Sequence, residues 1–410
     1  MGTKRIKVLW VGDYNCPTGF AEVNKNILHR LVGGDDFEFH VLAVNRECPD
    51  PVYPIYFPIY ECKTTYALGE IAEVFDKVKP DILFTLNDGH VMPLYQKILG
   101  ARLDTCSWIG YITFDGTPIA RWRDALNHMD AVIFPTEWQK QEINKIMPSL
   151  KCKVISYGVN TKIFKPVEKD IIKHYKKYML GDQNEDAFIF GMVAKNFERK
   201  RYPELIQAFT IFKYKSGIKF TREPILVLCP THARGQFNLE NMAKVAGAKD
   251  NDIVIIQTNS AFGLPDEEMN LIYNMMDVNC LISIGEGYGL PTINAAACGK
   301  PTIAMDNSVQ HELSKTFPMV LVPTDGQPPT WFGMDMEQIR FTPNCKVLAQ
   351  ALADTYYNCV MEQDADEYNK GIYDMAFNAA KALDWDNIAP QFADVIKECV
   401  GKNKKVQVVE

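Results

Sequence analysis

Residues 285–299 read Gly285-Glu-Gly-Tyr-Gly-Leu-Pro-Thr-Ile-Asn-Ala-Ala-Ala-Cys-Gly299 and follow an apolar run of strand length, Asp277–Ser283. The glycines predict a turn, and Pro291 with the small residues after it predicts a helix that ends at Gly299. The unpaired N–H groups at the start of such a helix can bind phosphate oxygens. Glu286 lies in the turn, where it is either a solvated loop acid or an acceptor of hydrogen bonds from sugar hydroxyls. The strand, turn and helix at residues 277–299 together favour a ligand that carries both phosphate and hydroxyl groups.

Four cations lie between a predicted strand, residues 187–193, and a predicted helix that begins at Pro203: Lys195, Arg199, Lys200 and Arg201. The carboxyl ends of parallel strands face the ligand crevice of an open α/β sheet, so these cations are expected at its mouth. A cation ~4 Å from a phosphate oxygen contributes up to about 4 kcal/mol at an effective dielectric constant near ~20. If the interaction strengthens as charge develops, it is worth roughly a thousandfold in rate. Without the preceding strand, the same cluster would indicate only a solvated surface.

Predicted strands and helices alternate along most of the chain. Runs of β-branched and aromatic residues predict strands, and amphipathic stripes such as Ala21–Leu31 and Pro203–Lys213 predict helices between them. This rhythm predicts an α/β fold with two parallel, doubly wound sheets, separated by a polar stretch at about residues 166–186. The strands are predicted at residues 6–11, 37–44, 81–86, 107–113, 131–134, 153–156, 187–193, 224–229, 252–256, 277–283 and 301–305, and the last helices at 345–357, 367–383 and 388–400.

The composition is that of a globular protein and excludes several classes. The 410 residues carry a formal net charge of −7, which argues against a nucleic-acid coat, and their number predicts two domains. No two of the eleven cysteines form a Cys-x-x-Cys pair, which excludes zinc ribbons and thioredoxin-like pairs and suits a reducing compartment. No apolar run reaches the length of a signal peptide core or a membrane span. These features predict a cytoplasmic protein with at most peripheral membrane contact.

Three other ligand motifs fail. Residues 12–19, Gly12-Asp-Tyr-Asn-Cys-Pro-Thr-Gly19, follow a strand but lack the G-x-G-x-x-G pattern of dinucleotide binders. Residues 298–302 resemble the end of a P-loop, but Asn294 and Pro301 stand at two of its required positions, and His311-Glu312 lacks the second histidine of a zinc protease. Gly19 either brings backbone N–H groups close to a ligand or belongs to a plain turn between strand and helix.

Together these motifs resemble the GT-B glycosyltransferases of family 4, retaining enzymes also called glycosyl transferases group 1. The specific blocks are residues 191–200, followed by Leu205–Phe209, and Glu286–Pro291; residues 12–19 and 157–166 also match. The resemblance covers most of the chain and implies two Rossmann-like domains facing each other across a cleft. Residues 1–166 with a C-terminal helix, about 386–410, would form the acceptor domain, and residues 167–385 the donor domain.

The resemblance also implies roles for individual residues. Lys195 and Lys200, with Arg199 beside them, would hold the donor diphosphate, and Glu286, the first Glu of the family's E-x7-E motif, would bind the donor sugar. Gly19 would approach the diphosphate from the other domain. The remaining donor-binding residues implied are Ser283, Gly287, Tyr288, Gly289, Leu290 and Asn294.

Two positions depart from the family pattern. Asn294 replaces the second Glu of E-x7-E, which binds the ribose hydroxyls, and its uncharged amide is expected to weaken or change nucleotide selection. In the first half, Phe114-Asp115 stands where many relatives have His-Asp, so the catalytic-region histidine is lost. Asp115 then either positions an acceptor hydroxyl or caps the turn. His90 and His128 are interpreted as structural or surface residues.

The mechanism implied by the resemblance needs no protein nucleophile. The acceptor attacks on the face from which the diphosphate leaves, and the departing diphosphate takes the acceptor proton. Lys195, Lys200 and the helix after Pro291 would stabilise the leaving group, and domain closure would exclude water. No metal is expected, because neither Asp-x-Asp nor clustered histidines accompany these cations.

The donor and the reaction are left with alternatives. GDP-mannose is the first choice, because many similar family members are mannosyltransferases, and UDP-hexoses are the second; the acceptor would be a glycan or a lipid-linked sugar. Loops at residues 230–234 and 257–260, including Asn259, are expected to select the base. The alternatives are an epimerase or phosphorylase of the same fold, and a catalytically silent nucleotide-sugar-binding protein.

Overall fold

The computed structural model describes residues 5–45, 56–118, 120–230, 235–256, 263–324, 326–327, 329–330 and 339–401. The chain divides into two compact units. The first comprises Met1–Gly158 and Trp385–Glu410, and the second Val159–Asp384.

The first unit contains a seven-stranded parallel sheet. Its strands in chain order are β1 Ile6–Asp13, β2 Phe37–Val44, β3 Ile59–Glu61, β4 Ile82–Asp88, β5 Ser107–Thr113, β6 Ala131–Phe134 and β7 Cys152–Val154. Their spatial order is β3-β2-β1-β4-β5-β6-β7. The middle strands are buried on both faces, which explains why they consist of continuous apolar runs.

The second unit contains a six-stranded parallel sheet. Its strands are β8 Phe188–Ala194, β9 Pro224–Pro230, β10 Ile253–Ile255, β11 Val278–Leu281, β12 Thr302–Met305 and β13 Met319–Val322, in the order β10-β9-β8-β11-β12-β13. Two further strands, β14 Pro329–Thr330 and β15 Arg340–Phe341, pair antiparallel apart from this sheet.

Helices connect the strands in both units. In chain order they are α1 Gly19–Leu31, α2 Ile71–Val78, α3 Met92–Leu99, α4 Arg123–His128, α5 Glu137–Ile146, α6 Lys169–Leu180, α7 Tyr202–Lys215, α8 Leu239–Ala246, α9 Asp266–Met275, α10 Leu290–Ala297, α11 Ser308–Leu313, α12 Cys345–Tyr356, α13 Ala365–Ala382 and α14 Trp385–Cys399. No helix among the described residues is both long and apolar enough to cross a membrane.

The last helix belongs to the first unit. In α14, the Cys399 carbonyl accepts a hydrogen bond from Ser107 Oγ at 2.7 Å, and Asp386 pairs with Arg30 of α1 at 2.6 Å. The Phe392 ring lies 4.9 Å from the Tyr111 ring, between centroids. The helix therefore covers one face of the first sheet. The two sheets themselves are both parallel, which confirms the predicted fold class.

The division between the units begins earlier than residue 167, where the sequence placed it. Val159 N donates to the Leu383 carbonyl at 2.9 Å, and Thr161 N donates to the Asp384 carboxylate at 3.1 Å. Lys165 N donates to Asn270 Oδ1 at 3.1 Å. Residues 159–166 thus bond to the second unit, and α6 occupies most of the stretch that had been interpreted as a polar separator.

Each sheet has one point where the strand order reverses. In the first sheet it lies between β1 and β4, and in the second between β8 and β11. Ligands of open α/β sheets bind at the carboxyl ends of the strands on either side of such a point. The segments after β8 and β11 are those that carry the predicted cations and Glu286.

Candidate functional site

The two segments singled out in the sequence meet at the carboxyl edge of the second sheet. Val278 of β11 pairs with Phe190 of β8, so both strands end at the same edge. Beyond their ends, Ile284 N donates to the Arg199 carbonyl at 3.1 Å. Residues 86 positions apart in sequence, Lys200 and Glu286, are thereby placed in contact.

Glu286 is the centre of this cluster. Its side chain pairs with the Lys200 ammonium, and Arg199 Nη1 lies 3.6 Å from its second carboxylate oxygen. Glu286 is 6% exposed and Lys200 9%, so the pair is largely removed from water. Burial alone would raise the pKa of the Glu286 carboxyl, but the charges of Lys200 and Arg199 outweigh it and hold that pKa below its usual value. Glu286 is therefore ionised at neutral pH.

Ser283 and Arg199 shape the turn that holds Glu286. Ser283 is fully buried, and its hydroxyl donates to the Gly285 carbonyl at 2.8 Å. Arg199 Nη1 donates to Ser283 Oγ at 3.2 Å and also to the Gly285 carbonyl. The turn is thus tied to the segment that follows β8 by side-chain as well as backbone bonds.

Lys195 differs from the other two cations. It is half-buried, and its Nζ lies 5.9 Å from the centre of the Phe197 ring. No carboxylate of the described residues lies within ion-pair distance of Lys195, whereas Lys200 and Arg199 share Glu286. Arg201 is directed elsewhere, because it pairs with Glu204 of α7. Of these three cations, Lys195 is the one whose charge no carboxylate of the described residues pairs with.

The helix after the turn starts as the sequence predicted. Gly289 precedes α10 with φ +101°, a conformation that favours glycine, and a Cβ there would lie 2.5 Å from Gln310 Nε2. Leu290 is the first helical residue, and Tyr288 is buried beneath the turn. The α10 N-terminus is therefore a ready partner for an anion at this edge.

Asn294 lies within α10 and is 6% exposed. Its Oδ1 accepts no hydrogen bond from any described residue. A buried acceptor without a partner is costly, so this amide is available to a polar ligand.

The structure places Gly19 and Asp115 in the first unit. Gly19 is the exposed first residue of α1, next to Thr18, whose hydroxyl accepts from Ala21 N at 3.1 Å and donates to Asp13 at 2.6 Å. Asp115 follows β5 and is half-buried. Asn259 and residues 231–234 and 257–260 of the predicted base-selecting loops lie outside the described residues.

Phe114, the residue that the resemblance places at the position of the family's histidine, is a core residue. It is buried, and its ring lies within 5.8 Å, between centroids, of the rings of Trp122, Phe134 and Trp138. His90 is half-buried beside the Tyr66 hydroxyl, with Nε2 at 3.3 Å, and burial lowers the pKa of its imidazole. His128 lies against Trp108.

Residues after β12 support the turn and were missed from the sequence. Asn307 Nδ2 donates to the Ser283 carbonyl at 3.1 Å, and Ser308 Oγ accepts from Glu286 N at 3.3 Å. Gln310 Nε2 donates to the Tyr288 carbonyl at 3.4 Å. The polar run Asp306-Asn-Ser308 after a predicted strand was the available signal. Among the described residues, no group of three or more His, Cys, Asp or Glu is arranged to hold a metal ion.

Residues 181–320, which include this whole cluster, match the protein family described as "Glycosyl transferases group 1". The matched residues lie within the second unit, so this part of the chain is similar to the group 1 glycosyltransferases. The resemblance inferred from the cations and Glu286 is thereby confirmed. No curated protein matches the chain in sequence.

Solved structures share the fold of the whole chain. Anabaena HepE, determined in complex with UDP and glucose, has a TM-score of 0.68 at 16% identity, with 96% of this chain and 100% of that chain covered. Sucrose-phosphate synthase from Thermosynechococcus elongatus has a TM-score of 0.70 at 14% identity, covering 96% and 99%. WaaG, a glycosyltransferase involved in lipopolysaccharide biosynthesis, has a TM-score of 0.67 at 12% identity, covering 95% and 99%. These likenesses support the GT-B fold.

Proposed function

We propose that the chain is a retaining, metal-independent glycosyltransferase that moves a hexose from a nucleoside diphosphate sugar to a hydroxyl of a glycan or lipid-linked sugar. The observation that carries the proposal is the cluster of Glu286 with Lys200 and Arg199 at the reversal point of the second sheet. This cluster lies inside the domain that matches the group 1 glycosyltransferases.

The cluster offers separate groups for the two parts of such a donor. Lys195, Lys200 and Arg199 would bind the pyrophosphate together with the α10 N-terminus, and Glu286 would accept hydrogen bonds from the sugar. An ammonium group has three N–H donors, so Lys200 can keep Glu286 and also bind a phosphate oxygen. As the bond to the sugar breaks, negative charge grows on the diphosphate, where these cations stabilise it most.

The reaction would use no nucleophile from the protein. The acceptor hydroxyl would attack on the face that the diphosphate leaves, and the diphosphate oxygen would take its proton. Because the cations already neutralise the leaving group, metal-free transfer is part of the proposal. Activity is then expected to persist in EDTA and the product to keep the anomeric configuration of the donor, which NMR of the product measures.

Two donors are to be compared. GDP-mannose is the first candidate from the sequence resemblance, and UDP-hexoses are supported by HepE, whose structure was determined with UDP and glucose. A thermal-shift screen of GDP, UDP and ADP identifies the base, because a ligand that binds only the folded chain raises its melting temperature.

The test of function is incubation of the chain with labelled GDP-mannose or UDP-glucose and sugar acceptors. Release of nucleotide with sugar transfer, or with slow hydrolysis when no acceptor is present, supports a glycosyltransferase. An isomerised donor would instead establish an epimerase. Binding without any turnover would establish a silent nucleotide-sugar-binding protein. The uncharged Asn294, in place of the second Glu of E-x7-E, is the departure from the family pattern that keeps this alternative open.

A further inference from the structure

The Glu286 turn has no regular structure of its own, and its position depends on the segment after β12. Asn307 donates to the Ser283 carbonyl and Gln310 to the Tyr288 carbonyl, on either side of Glu286. Between them, the backbone N–H of Glu286 itself donates to Ser308 Oγ at 3.3 Å. Ser308 is thus the side chain that bonds directly to the backbone of the site's carboxylate residue.

Ser308 adopts an unfavourable backbone conformation in order to do so. Its φ is +41°, in the left-handed region that favours glycine. A glycine would adopt this conformation without steric cost but would have no hydroxyl. The presence of serine here is explained if the hydroxyl is needed.

The hydroxyl is also held in a defined orientation. Ser308 Oγ donates to Asn307 Oδ1 at 3.0 Å, so its proton is occupied and a lone pair faces the Glu286 N–H. Asn307 in turn is bonded to the Ser283 carbonyl. This chain of three hydrogen bonds joins the strained backbone at Ser308 to both sides of the turn.

We propose that Ser308, oriented by Asn307, is a positioning residue. It would fix where the Glu286 carboxylate lies relative to Lys200 and, through that, relative to the donor sugar. The proposal rests on the proposed function. It goes beyond it by assigning a role to a residue that lies outside the cation cluster and the glycine-rich turn. Ser308 acts through Glu286, so its effect should fall on the sugar part of the donor and not on the nucleotide part.

The experiment compares Ser308→Gly, Ser308→Ala and the matched control Asn251→Gly. Ser308→Gly removes the hydroxyl and relieves the backbone, whereas Ser308→Ala removes the hydroxyl and keeps the unfavourable φ. Asn251 also has positive φ, +68°, is exposed, and makes no side-chain hydrogen bond with described residues. The measurements are Tm, the Kd of UDP-glucose and GDP-mannose by calorimetry, the Kd of UDP and GDP, and turnover.

Both Ser308 variants are expected to bind the preferred nucleotide sugar about two- to tenfold more weakly, as loss of one hydrogen bond predicts, while the nucleoside diphosphate alone binds within about twofold of wild type. Tm should stay equal or rise in Ser308→Gly and fall in Ser308→Ala. Asn251→Gly should leave binding unchanged. If Ser308→Gly and Ser308→Ala lose the same sugar affinity while their Tm values differ, general destabilisation cannot be the cause.

Wild-type sugar affinity and turnover in Ser308→Gly would overturn the proposal, as would an affinity loss that simply follows Tm. If the wild-type chain binds a nucleotide sugar without turning it over, the transferase proposal fails but Ser308 is still judged by Kd. If it binds neither donor, both proposals fail.

Discussion

The two sheets reverse their strand order in the same way, yet the charged groups near the two reversal points differ. Beyond β8 and β11, Lys200 and Arg199 hold the pKa of Glu286 low against the effect of burial. Beyond β1 and β4, burial raises the pKa of the Tyr66 hydroxyl, and the charges of Asp88 and Asp13 raise it further. The same topology therefore places two cations around a carboxylate at the edge of the second sheet, and the aspartates Asp13 and Asp88 near the edge of the first.

This difference separates fold from function. A cationic edge suits the diphosphate of a donor, whereas carboxylates repel phosphate and suit neutral hydroxyl groups. Asp13 is 3% exposed and accepts from Thr18 and from Asn45 Nδ2 at 3.0 Å, so hydrogen bonds hold its carboxylate in place at the first edge. The contrast supports donor binding in the second unit and acceptor binding in the first.

The largest effect is expected from Lys200→Ala. The change removes the proposed phosphate ligand and leaves the buried Glu286 with Arg199 alone, so kcat/KM should fall by about 10²–10³-fold. Lys315→Ala, at an exposed lysine of the same unit, is the control and should be neutral. Full activity in Lys200→Ala would show that Lys200 does not stabilise the leaving diphosphate.

Glu286→Gln tests whether Glu286 contacts the sugar part of the donor and not its nucleoside diphosphate part. The kcat/KM for the nucleotide sugar should fall by about 30-fold or more, because a charged acceptor for sugar hydroxyls is lost. Affinity for the free nucleoside diphosphate should hold or increase, since Lys200 and Arg199 are no longer neutralised. Calorimetry with both ligands measures this, and equal losses for both would contradict the assignment.

Asp115→Asn tests the first unit. If Asp115 positions the acceptor hydroxyl, transfer should fall about tenfold while hydrolysis of the donor without acceptor is unchanged. Asp124→Asn, at an exposed carboxylate of α4, serves as the control. Unchanged transfer with a lower Tm would instead establish Asp115 as a turn cap.

Asn294→Glu completes the E-x7-E motif of the resemblance and should tighten nucleotide binding about two- to fivefold, because a carboxylate is a stronger acceptor for ribose hydroxyls than the amide. A 2′,3′-dideoxynucleotide provides the control and should show no gain. The same gain for both nucleotides would place Asn294 away from the ribose.

The smallest effect is on stability at acid pH. The folded-state pKa of Glu286 is lowered, so its stabilising contribution is present above the unfolded value, about 4.3, and is lost as pH falls through the folded value. The difference in unfolding free energy between wild type and Glu286→Gln should therefore shrink as the solution is acidified below about pH 4. Denaturant titrations at several pH values measure it, and a constant difference would mean that Glu286 is not ion-paired.

Much of the site was predictable because its signals are local. The apolar strand before residue 195, the glycines around Glu286 and the small residues of α10 all lie within short windows of sequence. Three features were not predictable. The edge strands β3 and β13, of three and four residues, were not predicted. The positive φ of Ser308 could not be predicted, because serine rarely adopts that conformation. Nor could the sequence show that three aromatic rings surround Phe114.

The sequence by itself determined the alternation of strands and helices, the two parallel sheets and the chemical groups of the candidate site, because hydrophobic periodicity and turn residues act over a few positions. Only the tertiary structure decided that β8 lies beside β11, that Lys200 and Arg199 share Glu286, and that Ser308 bonds to its backbone. These contacts join residues far apart in the chain, and they follow from the order in which strands pair, which no local pattern encodes.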